Sequence, residues 1–205
     1  MTIYTHKGDL PDGINFGASV AVDTETLGLN PLRDRLCVVQ LSDGKGDAHL
    51  VQLSESDFAQ AKNLKKLMAD PSVLKIFHYA RFDVAVMKHY LNVDVAPIFC
   101  TKIASKLART YTDRHGLKDL TRELLGINMD KQQQSSDWAA AELSDDQKSY
   151  AAADVLYLHE MMGKLNDMLA REGRTEIAQS CFDFLPTRAL LDLKGWVEDD
   201  IFAHK

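Results

Sequence analysis

The hydrophobic period of this chain changes partway along it, and that change limits the folds open to it. Up to about residue 100 the apolar residues come in short runs of strand length, and beyond it they recur at helical spacing. Ser19 to Asp23, Leu36 to Leu41, Ala48 to Leu53 and Val73 to Phe77 each read as a strand, with Pro97 to Cys100 a shorter fifth. Asp43-Gly44-Lys45-Gly46-Asp47 is a hairpin turn between the second and third, so three sequential strands with short connections predict an antiparallel meander. A helix is expected from about Ser56 to Met68, ending before Asp70-Pro71, and another from near Ala80. The longest is expected from about Asp145 to Ala170. Ser144 and Gln147 have capping-box spacing at its start, and Gly173 lies just past its end. Its stripe reads Tyr150, Ala153, Tyr157, Leu158, Met161, Met162, Leu165, Met168 and Leu169. The fold class is therefore α/β: a mostly antiparallel sheet with interleaved helices, then a helical second half.

A chain of 205 residues, 45% apolar and 26% charged, is long enough for one domain with a sizeable core and too short for two comfortable ones. No repeat, low-complexity tract or linker divides it, so a single domain over 1–205 is expected, with 171–205 a helical extension. No apolar run approaches the ~18 residues of a membrane span, and Met1 to Asp9 lack a signal-peptide pattern. A cytoplasmic protein with no membrane partner is expected. Cys37, Cys100 and Cys181 are odd in number, far apart and without zinc-ligand spacing, which predicts structural thiols. The net charge of −6, from 30 acids and 24 bases, argues against tight binding to long duplexes. It is compatible with a small nucleotide substrate, or with acids that hold metal ions.

The acids carry the chemistry. Asp23 and Glu25 follow the apolar run Val20-Ala21-Val22, and in a strand positions i and i+2 share a face. Two carboxylates side by side repel unless they share a cation or a proton, although a lone Asp-x-Glu is most simply a solvated strand end. Asp83 falls in the first turn of a helix, where the helix dipole alone explains an acid. Asp154 is more telling. It lies four residues after Tyr150 on the apolar stripe, among Ala151, Ala152 and Ala153, where an unpaired carboxylate is costly to bury. Four carboxylates suit hard divalent cations, and two such ions suit phosphoryl transfer. The sequence has no Gly-rich phosphate loop, nucleophile elbow or His-Glu-x-x-His motif.

Three segments carry a family resemblance. Val22-Asp23-Thr24-Glu25-Thr26-Leu27-Gly28-Leu29 resembles the first motif of the DEDD 3′-to-5′ exonucleases, His78-Tyr79-Ala80-Arg81-Phe82-Asp83 the second, and Tyr150-Ala151-Ala152-Ala153-Asp154 the third in its tyrosine form. Ser136-Asp137-Trp138, Leu143 and Gln147 are similar to ribonuclease D. The resemblance spans about residues 19 to 160. It implies a ribonuclease-H-like (DnaQ-like exonuclease) fold, a mixed sheet with an antiparallel meander flanked by helices. The ending, Arg188 to Leu193, Gly195-Trp196 and Asp200 to His204, looks like the compact nanoRNase C branch. That branch implies a homo-octamer that cleaves very short single-stranded RNA, dinucleotides above all, including those from cyclic di-GMP breakdown. The alternatives are a general exonuclease acting on longer RNA or DNA, and an inactive nucleic-acid-binding module.

The resemblance also implies roles. Asp23, Glu25, Asp83 and Asp154 hold two divalent metal ions, Mg²⁺ or Mn²⁺, and Tyr150 orients the attacking water. Leu29 wedges between bases, Thr24 offers its backbone to the 3′ ribose, and His78, which stands where ribonuclease D relatives carry an asparagine, is either a substrate contact or a satisfied histidine behind the site. Lys102, Lys106, Arg109, Arg114, Lys118 and Arg122 make residues 101 to 123 locally basic, with 102, 106 and 109 spaced for one helix face. They read either as a phosphate-attracting rim or as a solvated face. The apolar loading of Leu185, Leu190, Leu191, Leu193, Trp196, Val197, Ile201 and Phe202 is expected to serve in part as a subunit interface.

Overall fold

In the computed structural model, which describes residues 2–129 and 136–204, six strands form one mixed sheet. β2 (Ser19–Thr26), β3 (Leu36–Ser42) and β4 (Ala48–Gln52) are the expected antiparallel meander. β5 (Leu74–Phe77) pairs parallel with β2, and β6 (Ile98–Cys100) parallel with β5. β1 (Ile3–Lys7) pairs parallel with β4, which completes the order β1-β4-β3-β2-β5-β6. Nothing local marks β1. Tyr4, Thr5 and Lys7 are exposed at the sheet edge with no alternation, and it forms because β4 offers it an unpaired backbone. Every residue of β3 is buried, which is why its sequence runs apolar without alternating.

The helices depart from expectation in two places, both for long-range reasons. The stretch from Ser56 to Met68 is not one helix but a single 3₁₀ turn at Glu55–Asp57 followed by α1 (Lys62–Ala69). Asp57 folds back onto the Ser54 N–H at 2.7 Å and closes a local capping box. The start of α1 is then capped from outside, because the Asp9 carboxylate accepts from the N–H groups of Asn63 at 2.8 Å and Leu64 at 2.9 Å. α2 is Ala80–Leu91, α3 Thr101–Ala108 and α4 Leu117–Leu120, the last continuing into a π-helical turn at Thr121–Leu125.

The expected helix from Asp145 to Ala170 is two, α5 (Asp145–Leu156) and α6 (Leu158–Arg171), with Tyr157 between them at φ −103° and ψ −3°. α5 packs across β2, β3 and β4, whereas α6 packs on α3. Two partners in different directions need two axes. The buried face is Ala151, Ala152 and Val155, then Leu158, Met161, Leu165 and Leu169. Tyr150, Ala153 and Tyr157 flank that face half-buried instead of lying in it. The Ser144–Gln147 capping box forms as expected. α7 (Thr175–Leu193) packs on α2, and residues 194–204 are not helical. Cys37 and Cys100 are buried, Cys181 is half-buried, and all three are free thiols.

Arg109 does not join the basic rim. It caps the end of α3, fully buried, bonded to the Arg114 carbonyl at 2.9 Å and paired with Glu123. One expectation follows from the α1 cap. Asp9→Ala should cost about 1–2 kcal/mol, the usual loss for a helix cap, read as a lower urea midpoint with unchanged slope. An unchanged midpoint would mean that the two bonds do not stabilise the helix.

Candidate active site

The buried run Val20-Ala21-Val22 fixes β2 in the middle of the sheet, and period 2 then places Asp23 and Glu25 on one face. Across the ladder, Gln40 of β3 faces Asp23. Its amide nitrogen lies 3.4 Å from Asp23 Oδ2 and 3.5 Å from Glu25 Oε1. Gln40 is a site residue that sequence reasoning passed over. The signal was there, a single amide inside an otherwise apolar strand. Its Oε1 is buried with no hydrogen-bond partner among the described residues.

α5 lies over the same place and brings in Asp154. One oxygen from each of Asp23, Glu25 and Asp154 falls within 4.8 Å of the others. Asp83, on the first turn of α2 and 3% exposed, accepts a 2.6 Å bond from the Thr24 hydroxyl. Thr24 thus ties the first and second motifs together through its side chain. All four acids line one cavity of about 640 Å³.

Packing these acids together has a measurable electrostatic signature. Burial raises Asp23 well above the usual carboxylate range, and Asp83, Asp154 and Glu25 raise it further. Glu25 is pushed up to about 9, by burial first and then by Asp154 and Asp83. Asp83 is raised to about 7 by burial, with the Thr24 hydroxyl pulling the other way. With no cation to balance them, Glu25 keeps its proton at neutral pH and Asp83 is near half-protonation. Tyr150 also lines the cavity. Burial raises its phenol above the ordinary value, and Asp154, Glu25 and Asp23 add to that, as does a hydrogen bond to Asp154. Its hydroxyl is a proton donor here, not a base.

The remaining walls come from loops and helix starts. Leu29, 87% exposed, stands at the mouth on the loop leaving β2. That loop closes on Asp34, whose carboxylate accepts from Asn30 N at 3.0 Å. A Cβ on Gly28 would lie 2.3 Å from Asp34 Oδ2, so a larger residue there would push the Asp34 carboxylate off its bond to Asn30. His78 Nδ1 lies 2.8 Å from the Thr101 hydroxyl, which in turn donates to the Phe77 carbonyl. The single hydroxyl proton is thereby used, so Nδ1 is the protonated nitrogen. Tyr79, next along, holds φ +70°, a left-handed conformation that costs a tyrosine about 1–2 kcal/mol. It is 45% exposed at the cavity, with Lys102 Nζ 4.4 Å from its ring centroid. Of the basic stretch, Lys102 and Lys118 reach the cavity. Trp138 is buried behind Tyr150, ring centroids 6.0 Å apart.

An all-oxygen donor set under mutual repulsion fits hard divalent cations. A carboxyl whose folded pKa exceeds its unfolded value contributes fully below the unfolded value, and the contribution is lost as pH rises through the folded one. For Glu25 that window runs from 4.5 to about 9, and for Asp83 from 3.8 to about 7. In chelator, the thermal midpoint is therefore expected to fall as pH rises through this range. Mg²⁺ or Mn²⁺ should raise it, and by more at higher pH. Asp154→Asn should raise the midpoint in chelator and shrink the metal-induced shift. Equal shifts in the two proteins would remove Asp154 from the ligand set.

Comparison with known proteins agrees with this geometry. Residues 8–170 match the 3′-5′ exonuclease domain model found in family A DNA polymerases. Ribonuclease D of Acidiphilium cryptum is 36% identical over 157 residues, which cover 77% of this chain and 39% of that protein. The chain thus spans about two fifths of the length of this relative. Solved structures of Brucella melitensis NrnC superpose over the whole of both chains. The form with bound Mg²⁺ does so at 56% identity with a TM-score of 0.95, and the form bound to pGG at 57% with 0.96. On the strength of the domain match and this shared fold, the chain belongs to the 3′-5′ exonuclease family.

Proposed function

We propose that this protein is a metal-dependent 3′-to-5′ exoribonuclease that hydrolyses very short RNA, dinucleotides above all, to nucleoside 5′-monophosphates. Linear dinucleotides from cyclic di-GMP breakdown fall within that class. One observation carries the reading: the four acids line a cavity of about 640 Å³ that the exposed Leu29 and Tyr79 also line. That volume suits a compact ligand better than a long strand. The full-length likeness to a protein solved with pGG supports the same size of substrate.

In this reading Asp23, Glu25, Asp83 and Asp154 hold two divalent ions, Mg²⁺ or Mn²⁺. Bound there, such ions supply Lewis acidity toward the phosphodiester and a lowered pKa for the attacking water. The chain's own groups do the positioning. Gln40 steadies Asp23 and Glu25 from the neighbouring strand, and Thr24 steadies Asp83. Tyr150 keeps its proton and orients the water through its hydroxyl. The Thr24 side chain is committed to Asp83, so Thr24 meets the ribose through its backbone. His78, its ring held through Nδ1 by the Thr101 hydroxyl, contacts the substrate from the cavity wall. Leu29 wedges between two bases, and the Tyr79 ring, with the Lys102 ammonium over it, stacks on one of them.

Self-association into a homo-oligomer, an octamer by resemblance, is supported by Trp196, Val197, Ile201 and Phe202. All are 45% exposed or more, near the end of the chain. The reading has no membrane partner, and among the described residues no helix is long and apolar enough to cross a membrane.

Two measurements check the reading. The first compares 5′-labelled RNAs of two to about seven nucleotides, and a duplex DNA, with Mn²⁺ and with chelator. The dinucleotide is expected to be cut fastest, and only with metal. Rates that hold or rise with length would favour a general exonuclease, and no metal-dependent cleavage would favour a binding module. The second is Tyr79→Asn, which keeps a left-handed backbone accessible. It should leave the thermal midpoint unchanged or higher and raise the dinucleotide KM about tenfold, the size of one lost base stack. An unchanged KM would take Tyr79 out of the substrate site.

A further inference from the structure

Asp192 is poorly placed for an isolated helix. It lies in the last turn of α7, where the helix dipole disfavours an anion, and it is only 6% exposed. Two arginines offset that cost. Arg81 makes a fork to it, Nε to Oδ2 at 2.6 Å and an Nη to Oδ1 at 2.7 Å. Arg188, one turn back on α7, donates to Oδ1 at 2.6 Å. Both arginines also hold the segment after the helix. Arg81 donates to the Val197 carbonyl at 2.8 Å, and Arg188 to that of Trp196.

The position of Arg81 gives this cluster its interest. It lies on the first turn of α2, two residues after the strained Tyr79 and two before Asp83. A planar guanidinium held by two parallel bonds has its orientation fixed as well as its distance. The same turn is held on the cavity side by the Thr24–Asp83 bond. It is therefore pinned from both sides, by the sheet and by α7.

We infer that Asp192 is a positioning residue for the site: through Arg81 it fixes the turn that carries Asp83, and through both arginines it ties residues 196–197 to that turn. The state of the C-terminal segment, which carries the exposed apolar residues, thus bears on the geometry of the acids. This inference rests on the reading of Asp83 as a metal ligand.

The test uses the full chain in three variants. Asp192→Asn removes the charge between the two guanidiniums, and Arg81→Lys keeps the charge but cannot fork. Phe182→Leu, in the core on the same helix, is the control for a loss of stability alone. Two readouts are taken: the Mn²⁺ concentration giving half of the thermal shift produced by a fixed excess of Mn²⁺, and, well below the melting range, kcat and KM on a dinucleotide. Asp192→Asn is expected to raise the half-shift concentration at least about threefold and to lower kcat about tenfold or more, since a misplacement of about 1 Å has such effects. KM should change much less. Arg81→Lys should follow in the same direction, and Phe182→Leu should lower the midpoint while moving neither readout.

Wild-type half-shift and kcat in both site-facing variants, whatever their midpoints, would make the cluster merely structural and overturn the inference. Should Asp192→Asn fail to fold, Arg81→Lys decides alone. Should wild type bind Mn²⁺ but cut nothing, the proposed function fails, and the half-shift concentrations still judge Asp192.

Discussion

Four carboxyl groups that line one cavity, Asp83 buried and the other three half-buried, repel each other, and the rest of the structure is arranged to hold them there regardless. Loss of solvent and like charge act together, which is why Glu25 and Asp83 hold protons far above the usual carboxylate range. A surface loop would relax such a cluster apart. Here Asp23 and Glu25 sit on a central strand that pairs with β3 along their own stretch and with β5 just before it, so they cannot separate without disrupting the sheet. Asp83 and Asp154 arrive on two helices that pack against that sheet.

Support from neutral donors completes the arrangement. Gln40 and Thr24 offer hydrogen to the acids without adding a fixed positive charge, which leaves the cluster's affinity for a cation intact. The backbone contributes in the same sense. Tyr79 is held left-handed directly between His78 and the helix that carries Asp83. Strain of this kind persists only where surrounding contacts over-determine it, and here the Arg81–Asp192 fork lies on the next turn. The candidate site is thus a region where stability is given up for geometry.

Much of this was legible in the chain. The meander β2–β3–β4, the strands β5 and β6 and the Ser144 cap follow from local pattern, because adjacent strands and helix starts are decided by residues close in sequence. The features that escaped are decided by distant ones. β1 exists only against β4, α1 starts where Asp9 caps it, and α5 breaks from α6 where the chain changes partners. Arg109 read as a surface cation because its spacing fits a helix face. Glu123 and the Arg114 carbonyl draw it into the interior.

The sequence by itself determined which residue types come to the site and in what order. A spacing of two on a strand and of four on a helix fixes which face a side chain takes, so Asp23 with Glu25, and Tyr150 with Asp154, were paired before any contact was known. Only the tertiary structure decided what those faces meet. It set Gln40 against the first pair, Thr24 against Asp83, and Asp192 behind the turn that carries it. The reason is physical. Local periodicity orients a side chain about its own axis, whereas the partner across a gap is set by sheet order and helix packing, which depend on residues far apart in the chain.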